Sequence, residues 1–251
     1  DMALVVADKT SVCAATFTQN RFCAAPVQVS RARAVSGHAR AVVLNSGNAN
    51  AATGEPGLRC AEKACALVAQ ALGCDEQDVL VASTGVIGVQ LPFEPYVTGV
   101  PAIVGALAPT PHAACAVMTT DTHPKESAFV GPAAQSDGSS VTVHVGGFVK
   151  GSGMIQPNMA TMLCVLSTDA PLTPEAAHAA LLSAVRQTFN KVTVDSDTST
   201  NDTCILFATG AAGGEAIDET SPAFPAVAAA IKGVCTNLAR QIAADGEGST
   251  K

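Results

Sequence analysis

Charge is scarce in this 251-residue chain. Only 14% of its residues are Asp, Glu, Lys or Arg, and tryptophan is absent. The balance that remains is acidic, −7 at neutral pH, which argues against a nucleic-acid partner, since that would need a basic footprint. No Lys/Arg cluster offsets it. Arg31, Arg33 and Arg40 are the densest group, and three spread charges read as a solvated surface. No apolar run approaches the ~18 residues of a membrane span, so no membrane partner is expected. The nine cysteines are odd in number and include no Cys-x-x-Cys pair. Buried reduced thiols are the natural reading. The five histidines are scattered, whereas zinc wants clustered ligands, so no metal is expected. Asp195, Asp197, Asn201 and Asp202 miss the spacing of a calcium loop. A Gly-x-Ser-x-Gly elbow and a Walker-type phosphate loop are also lacking. Of the glycine loops, only Gly47–Asn50, ahead of a helix, could cradle a phosphate.

What is present is an apolar chain rich in alanine, valine and glycine. It is 48% hydrophobic, enough for one large core or two small ones. Leu4–Ala7, Ala14–Phe17, Ala41–Leu44, Val79–Ala82, His112–Met118, Val141–Val145 and Thr161–Thr168 read as strands, and Cys204–Ala208 follows a polar turn. Helices are expected over Leu58–Leu72, Pro92–Leu107, Thr173–Phe189 and Pro222–Asp245. Gly73 ends the first of these, and Thr173 caps the third with Pro174 at its first position. Strands and helices interleave without a regular parallel rhythm, which gives a layered α/β or α+β fold. Asp1–Val6 begins inside a strand, so further residues are expected upstream.

The most informative stretch runs from Lys150 to Leu163. A glycine-rich loop leads into Ala160, and Thr161 opens an apolar, β-branched segment. Glycines let the backbone bend at low steric cost, and Ala160 leaves its carbonyl open. The Thr161 hydroxyl could attack that carbonyl and break the peptide bond, leaving Thr161 as a new N-terminus. Its freed α-amine, with a pKa of roughly 7.7–8, suits the role of general base for the hydroxyl on the same residue. A plain loop followed by a strand is the competing reading.

Other polar loops carry compatible chemistry. Thr84–Gly85 follows an apolar strand, and its hydroxyl and N–H could form an oxyanion hole, whose loss costs ~3–4 kcal/mol of transition-state stabilisation. A β-turn needing glycine is the alternative. Lys150 could bind a carboxylate or stay solvated. Glu247 could bind an ammonium group or sit in an exposed turn.

Taken together, six segments resemble the ornithine acetyltransferases of arginine biosynthesis. They are Asn45–Asn50 with Thr53–Gly54, Ser83–Gly88, Met118–Thr122, Lys150–Leu163, Asp197–Thr203 and Asp245–Lys251. The resemblance spans essentially the whole chain, and the joint order of the segments is its specific part. It implies an Ntn-like αββα sandwich with the connectivity of the ornithine acetyltransferase/DmpA-like fold. It also implies self-cleavage between Ala160 and Thr161, giving an α chain 1–160 and a β chain 161–251 that associate as α2β2. Thr161 would take an acetyl group from N-acetylornithine and pass it to glutamate through an acetyl-enzyme. No cofactor is implied, though acetyl-CoA is a possible second donor. By the same resemblance Thr84 and Gly85 form the oxyanion hole. Lys150 and Glu247 bind substrate, as does Thr119 or Thr122. The compartment implied is the cytoplasm in a bacterium, or the mitochondrion or plastid in a eukaryote.

Family members continue well beyond the position of Lys251 and also carry a leading segment, so the chain reads as a piece of a longer protein. An inactive fragment, a non-catalytic relative or a self-processing aminopeptidase of the related fold are the alternatives. A nucleotide-binding module built on the glycine loops is a weaker one.

Overall fold

The computed structural model describes residues 1–109, 112–156 and 162–249. Its seven strands are β1 (Met2–Phe17), β2 (His38–Asn48), β3 (Val79–Val86), β4 (Lys125–Ala134), β5 (Ser140–Lys150), β6 (Leu163–Thr168) and β7 (Thr203–Ala208). They form one hydrogen-bonded sheet in the order β3-β2-β1-β7-β6-β5-β4. The helices are α1 (Ala25–Ala34), α2 (Gly54–Leu72), α3 (Glu94–Gly105), α4 (His112–Ala116), α5 (Pro174–Gln187) and α6 (Phe224–Ala244).

β1 organises the molecule. β2 pairs with Met2–Val6 and, past a register shift, with Ser11 and Val12, while β7 pairs with Val12–Phe17. The register shifts between Val6 and Ser11, where Asp8, Lys9 and Thr10 are exposed. Leu4–Ala7 and Ala14–Phe17 are therefore one irregular strand and not two. A β-bulge bends a strand and adds twist, and here the shift separates a β3-β2-β1 half from a β1-β7-β6-β5-β4 half.

The two halves pack face to face. Val42, Leu44, Leu80 and Ala82 of one share a buried cluster with Phe148, Leu163, Val165 and Ile205 of the other. Alternation along each strand sends the intervening residues outward. Ala41, Val43, Val79 and Val81 meet α1, α2 and α3. Cys164, Leu166, Cys204 and Leu206 meet α5 and α6. The layers are thus helix, sheet, sheet, helix, as the resemblance implies.

Three further readings of the sequence need correction. His112–Met118 is not a strand: residues His112–Ala116 form α4, since an Ala-Ala-Cys-Ala run lacks the β-branched residues that strands favour. Helix α1 and strand β4 are additions to the elements expected from the sequence. The apolar stripe of α1 contains few large side chains, and Glu126 and the Gly131–Pro132 pair interrupt the pattern of β4. Nor is the arginine group simply solvated. Arg33 is buried and donates to the carbonyls of Glu76 and of Val79, the latter at 2.8 Å. Arg31 donates to the Thr18 carbonyl at 2.8 Å and lies over the Phe17 ring. Among the described residues no helix is long and apolar enough to cross a membrane.

Candidate active site

β2 and β3 run parallel and end together, so Asn45–Asn48 and Ser83–Val86 form one rim. The polar Asn45–Asn50 run is strand as far as Asn48. Buried Asn45 accepts from the Ser83 hydroxyl at 2.6 Å and from the Tyr96 phenol at 2.9 Å. Gly85 has φ +130°, and a Cβ there would run into the backbone of Gly47 and Asn48. Only glycine lets the two strand ends approach so closely. Thr84, buried beside it, faces the end of β5.

That end is Lys150, only 3% exposed. Its ammonium donates to Thr119 Oγ1 at 2.7 Å and to Thr84 Oγ1 at 3.3 Å, and lies 3.8 Å from Asp121 Oδ2. Burial pushes the Lys150 pKa below the usual lysine range. The charge of Lys125 adds to this, while those of Asp121, Asp202 and Glu247 oppose it.

The glycine loop after Lys150 is pinned on both sides. Gly151 N–H donates to Asp121 Oδ1 at 2.7 Å, and the Ser152 hydroxyl donates to the Asp245 carbonyl at 2.6 Å. Glu247 N–H donates to the Ser152 carbonyl at 2.9 Å. A Cβ on Gly153 would collide with the Glu247 carboxylate, so that glycine makes room for the acid. Asp195 accepts from the N–H groups of Met154 and Ile155. Met154 and Ser196 are both left-handed, at φ 57° and 65°, a conformation uncommon outside glycine that recurs at functional sites.

Thr84, Gly85, Thr119, Lys150 and Glu247 line one cavity of about 760 Å³. Thr122 is not among its lining residues. Its hydroxyl donates to Asp245, and its N–H donates to Asp245 Oδ2 at 3.0 Å. Ala160 and Thr161 lie outside the described residues. Met162, the next residue along, donates its N–H to Asp202 Oδ1 at 3.0 Å. Asp202 is fully buried, and its Oδ2 has no hydrogen-bond partner among the described residues. Burial pushes its pKa well above the usual carboxylate range, against the pull of the Met162 N–H, the Ser199 hydroxyl and the Lys150 charge. Neighbouring Asn201 ties the two halves of the sandwich together here, donating to the carbonyls of Ala49 at 2.6 Å and Ser83 at 2.8 Å.

Sequence reasoning missed the charges behind the cavity. Lys125 is fully buried between Asp121 Oδ1 at 2.7 Å and Asp245 Oδ2 at 2.5 Å. The sequence signal is slight: three ionisable residues in a chain that has few.

A chain with two polar strand ends, a buried lysine and a glutamate around one cavity can be set beside known proteins. The model of the ArgJ family matches residues 1–251. The chain belongs to the ArgJ family. The arginine biosynthesis bifunctional protein ArgJ of Geobacter sulfurreducens is 45% identical over 253 residues, which take in all of this chain and 63% of that protein. The ArgJ-family chain therefore spans less than two thirds of this relative's length.

Solved structures agree on the fold. The ArgJ protein of Bacillus halodurans superposes with a TM-score of 0.55 at 39% identity, covering 64% of this chain and 83% of the other. Ornithine acetyltransferase from Mycobacterium tuberculosis, solved in complex with ornithine, gives 0.52 at 30% identity, covering 65% and 84%. The layered, Ntn-like arrangement of this ArgJ-family chain is thus that of its solved relatives. Among its described residues no group of three or more His, Cys, Asp or Glu is placed to hold a metal.

Proposed function

We propose that this chain carries the acyl-transfer site of a self-processing acetyltransferase in arginine biosynthesis, with Thr161 as nucleophile. The observation that carries the reading is the meeting of Thr84, Gly85, Thr119, Lys150 and Glu247 around one cavity, beside the strand that Met162 leads into. The ArgJ family and the ornithine-bound relative support the choice of substrates.

Cleavage after Ala160 would divide the chain into residues 1–160 and 161–251 and free the Thr161 amine. The Thr161 Oγ then attacks the acetyl carbonyl of N-acetylornithine while the amine takes its proton. Thr84 and Gly85 stabilise the oxyanion. The carbon–nitrogen bond breaks, the proton passes to the departing amine, and ornithine leaves. Glutamate's amine attacks the resulting ester, and the Thr161 Oγ departs with its proton restored. Lys150 serves the substrate carboxylate and Glu247 its ammonium group, with the Thr119 hydroxyl hydrogen-bonded to Lys150 and Thr122 bound to Asp245. Acetyl-CoA is a second possible donor, since any acetyl group presented to the same nucleophile gives the same ester. The assembly is α2β2. The enzyme would work in the cytoplasm of a bacterium, or in the mitochondrion or plastid of a eukaryote.

The test is an intact mass under denaturing conditions together with an assay of acetyl transfer from N-acetylornithine to glutamate. Two pieces meeting at Ala160/Thr161, with transfer activity, are expected. Thr161→Ala is expected to give one uncut, inactive chain. An uncut wild-type protein without transfer, prepared at the relatives' full length, would overturn the reading.

A further inference from the structure

Lys125 and Lys150 compete for one carboxylate, and the geometry shows which prevails. Asp121 Oδ1 is taken by Lys125 Nζ at 2.7 Å and by Gly151 N–H at 2.7 Å. Its Oδ2 accepts from Thr119 N–H at 3.2 Å. Lys150 Nζ is left at 3.8 Å, beyond hydrogen-bond range, and gives its protons to the hydroxyls of Thr119 and Thr84. Lys125 itself is anchored from behind by Asp245, whose carbonyl holds Ser152 and which lies two residues before Glu247.

We propose that Lys125 is a positioning residue: by occupying Asp121 it holds the Lys150 ammonium at 3.8 Å from that carboxylate, short of a direct hydrogen bond, and free for the substrate carboxylate. The role rests on the acetyl-transfer reading for its consequence, but not for its structural content. Without Lys125, Asp121 would carry an uncompensated buried charge next to Lys150. A direct Lys150–Asp121 pair would form, drawing the ammonium away from Thr119 and Thr84. The charged groups that bear on Lys150 are Asp121, Lys125, Asp202 and Glu247. Asp121 acts more strongly on it than Lys125 does.

Two charge-balanced double variants separate positioning from mere support, because removing Lys125 alone would leave two buried carboxylates to one ammonium. Lys125→Met with Asp245→Asn leaves Asp121 to Lys150. Lys125→Met with Asp121→Asn removes the competitor and the contested carboxylate together. The measurement is the titration of Lys150 by NMR of labelled lysine side chains, its resonance assigned with Lys150→Arg. The first variant is expected to raise the Lys150 pKa by about one pH unit, the lower end of what a newly exclusive opposite charge produces. The second is expected to leave it at or below the wild-type value.

In the acetyl-transfer assay the first variant is expected to raise KM for N-acetylornithine at least about tenfold, the loss of one charge-assisted contact. Equal titration in a folded first variant and in wild type would overturn the proposal. So would a rise of the same size in both variants. If one variant does not fold, the other is compared with wild type on the same terms. Wild type without transfer activity would sink the acetyl-transfer reading alone, since the titration would still decide the role of Lys125.

Discussion

Lys150 and Asp202 are buried ionisable groups shifted in opposite senses. Both are driven mainly by burial, which favours the neutral form of each. For Lys150 the folded pKa lies below that of an exposed lysine. Its ammonium is therefore lost at lower pH than usual. Binding of a substrate carboxylate is expected to weaken as pH rises through that lowered value. The check is KM for N-acetylornithine between neutral and strongly alkaline pH, with Lys150→Met as the control in which the dependence disappears. For Asp202 the folded pKa lies above that of the unfolded chain. Between the two values the folded state binds the extra proton, so stability falls as pH rises through that window. Asp202→Asn removes the ionisation and keeps the shape. It is expected to melt at or above the wild-type temperature at neutral pH, with the gain gone near pH ~4, the ordinary carboxylate range. Lower melting at both pH values would mean that the carboxyl is needed for its own hydrogen bonds. Gly85→Ala belongs to the same scale. The added Cβ meets the Gly47 and Asn48 backbone, and displacing the proposed oxyanion donor is expected to cut kcat by about 10²–10³ with little change in KM.

At the scale of elements, α1 covers the open side of β3. Among the described residues that strand pairs only with β2, and an edge strand offers unpaired backbone groups to other chains. Ser30 meets them: its hydroxyl donates to the Val81 carbonyl at 2.6 Å and accepts from Val81 N–H at 2.8 Å. Arg33 takes the Val79 carbonyl. Ser30→Ala would strand both Val81 groups in the interior and is expected to cost about 1–3 kcal/mol in a urea melt. Removing the Thr173 cap, which accepts from Ala176 N–H, is expected to cost about 1 kcal/mol.

These elements are unevenly legible in the sequence. α5 can be read from Thr173 and Pro174, and α2 from its leucine–valine stripe, because local chemistry fixes their ends. α1 has little such stripe, and what holds it is the distant contacts of Ser30 and Arg33 with β3. The candidate site divides in the same way. Thr84, Gly85, Thr119, Lys150 and Glu247 stand in recognisable segments, and the fold brings them together at one cavity. Asp121, Lys125 and Asp245 draw their meaning from a pairing over 120 residues of chain, which no local pattern announces. Asn201 likewise acts only when folding brings Ala49 and Ser83 to it.

Over the whole molecule, the sheet runs through residues on both sides of Ala160. β5 pairs with β6, and β1 pairs with β7. The core beneath α5 and α6 also draws Val143, Val145 and Val149 from before that position. A cut after Ala160 leaves each of these pairings in place. The two pieces are expected to stay together through gel filtration and to separate only in denaturant. Pieces that part in native buffer would mean that the shared sheet does not hold them.

The long first strand also sets an order of events. β1 leaves the ribosome ahead of β2 through β7, and its last residues, Ala14–Phe17, wait for their strand partner until Thr203–Ala208 follows. Pairings of such sequence separation are slow to form. The neighbours of the proposed scissile bond, Met162 and Asp202 among them, assemble in the same late step. If the bond is cut as proposed, the cut is expected only once the β7 segment has been made, so that translation would act as the timer against premature cleavage of a half-built chain.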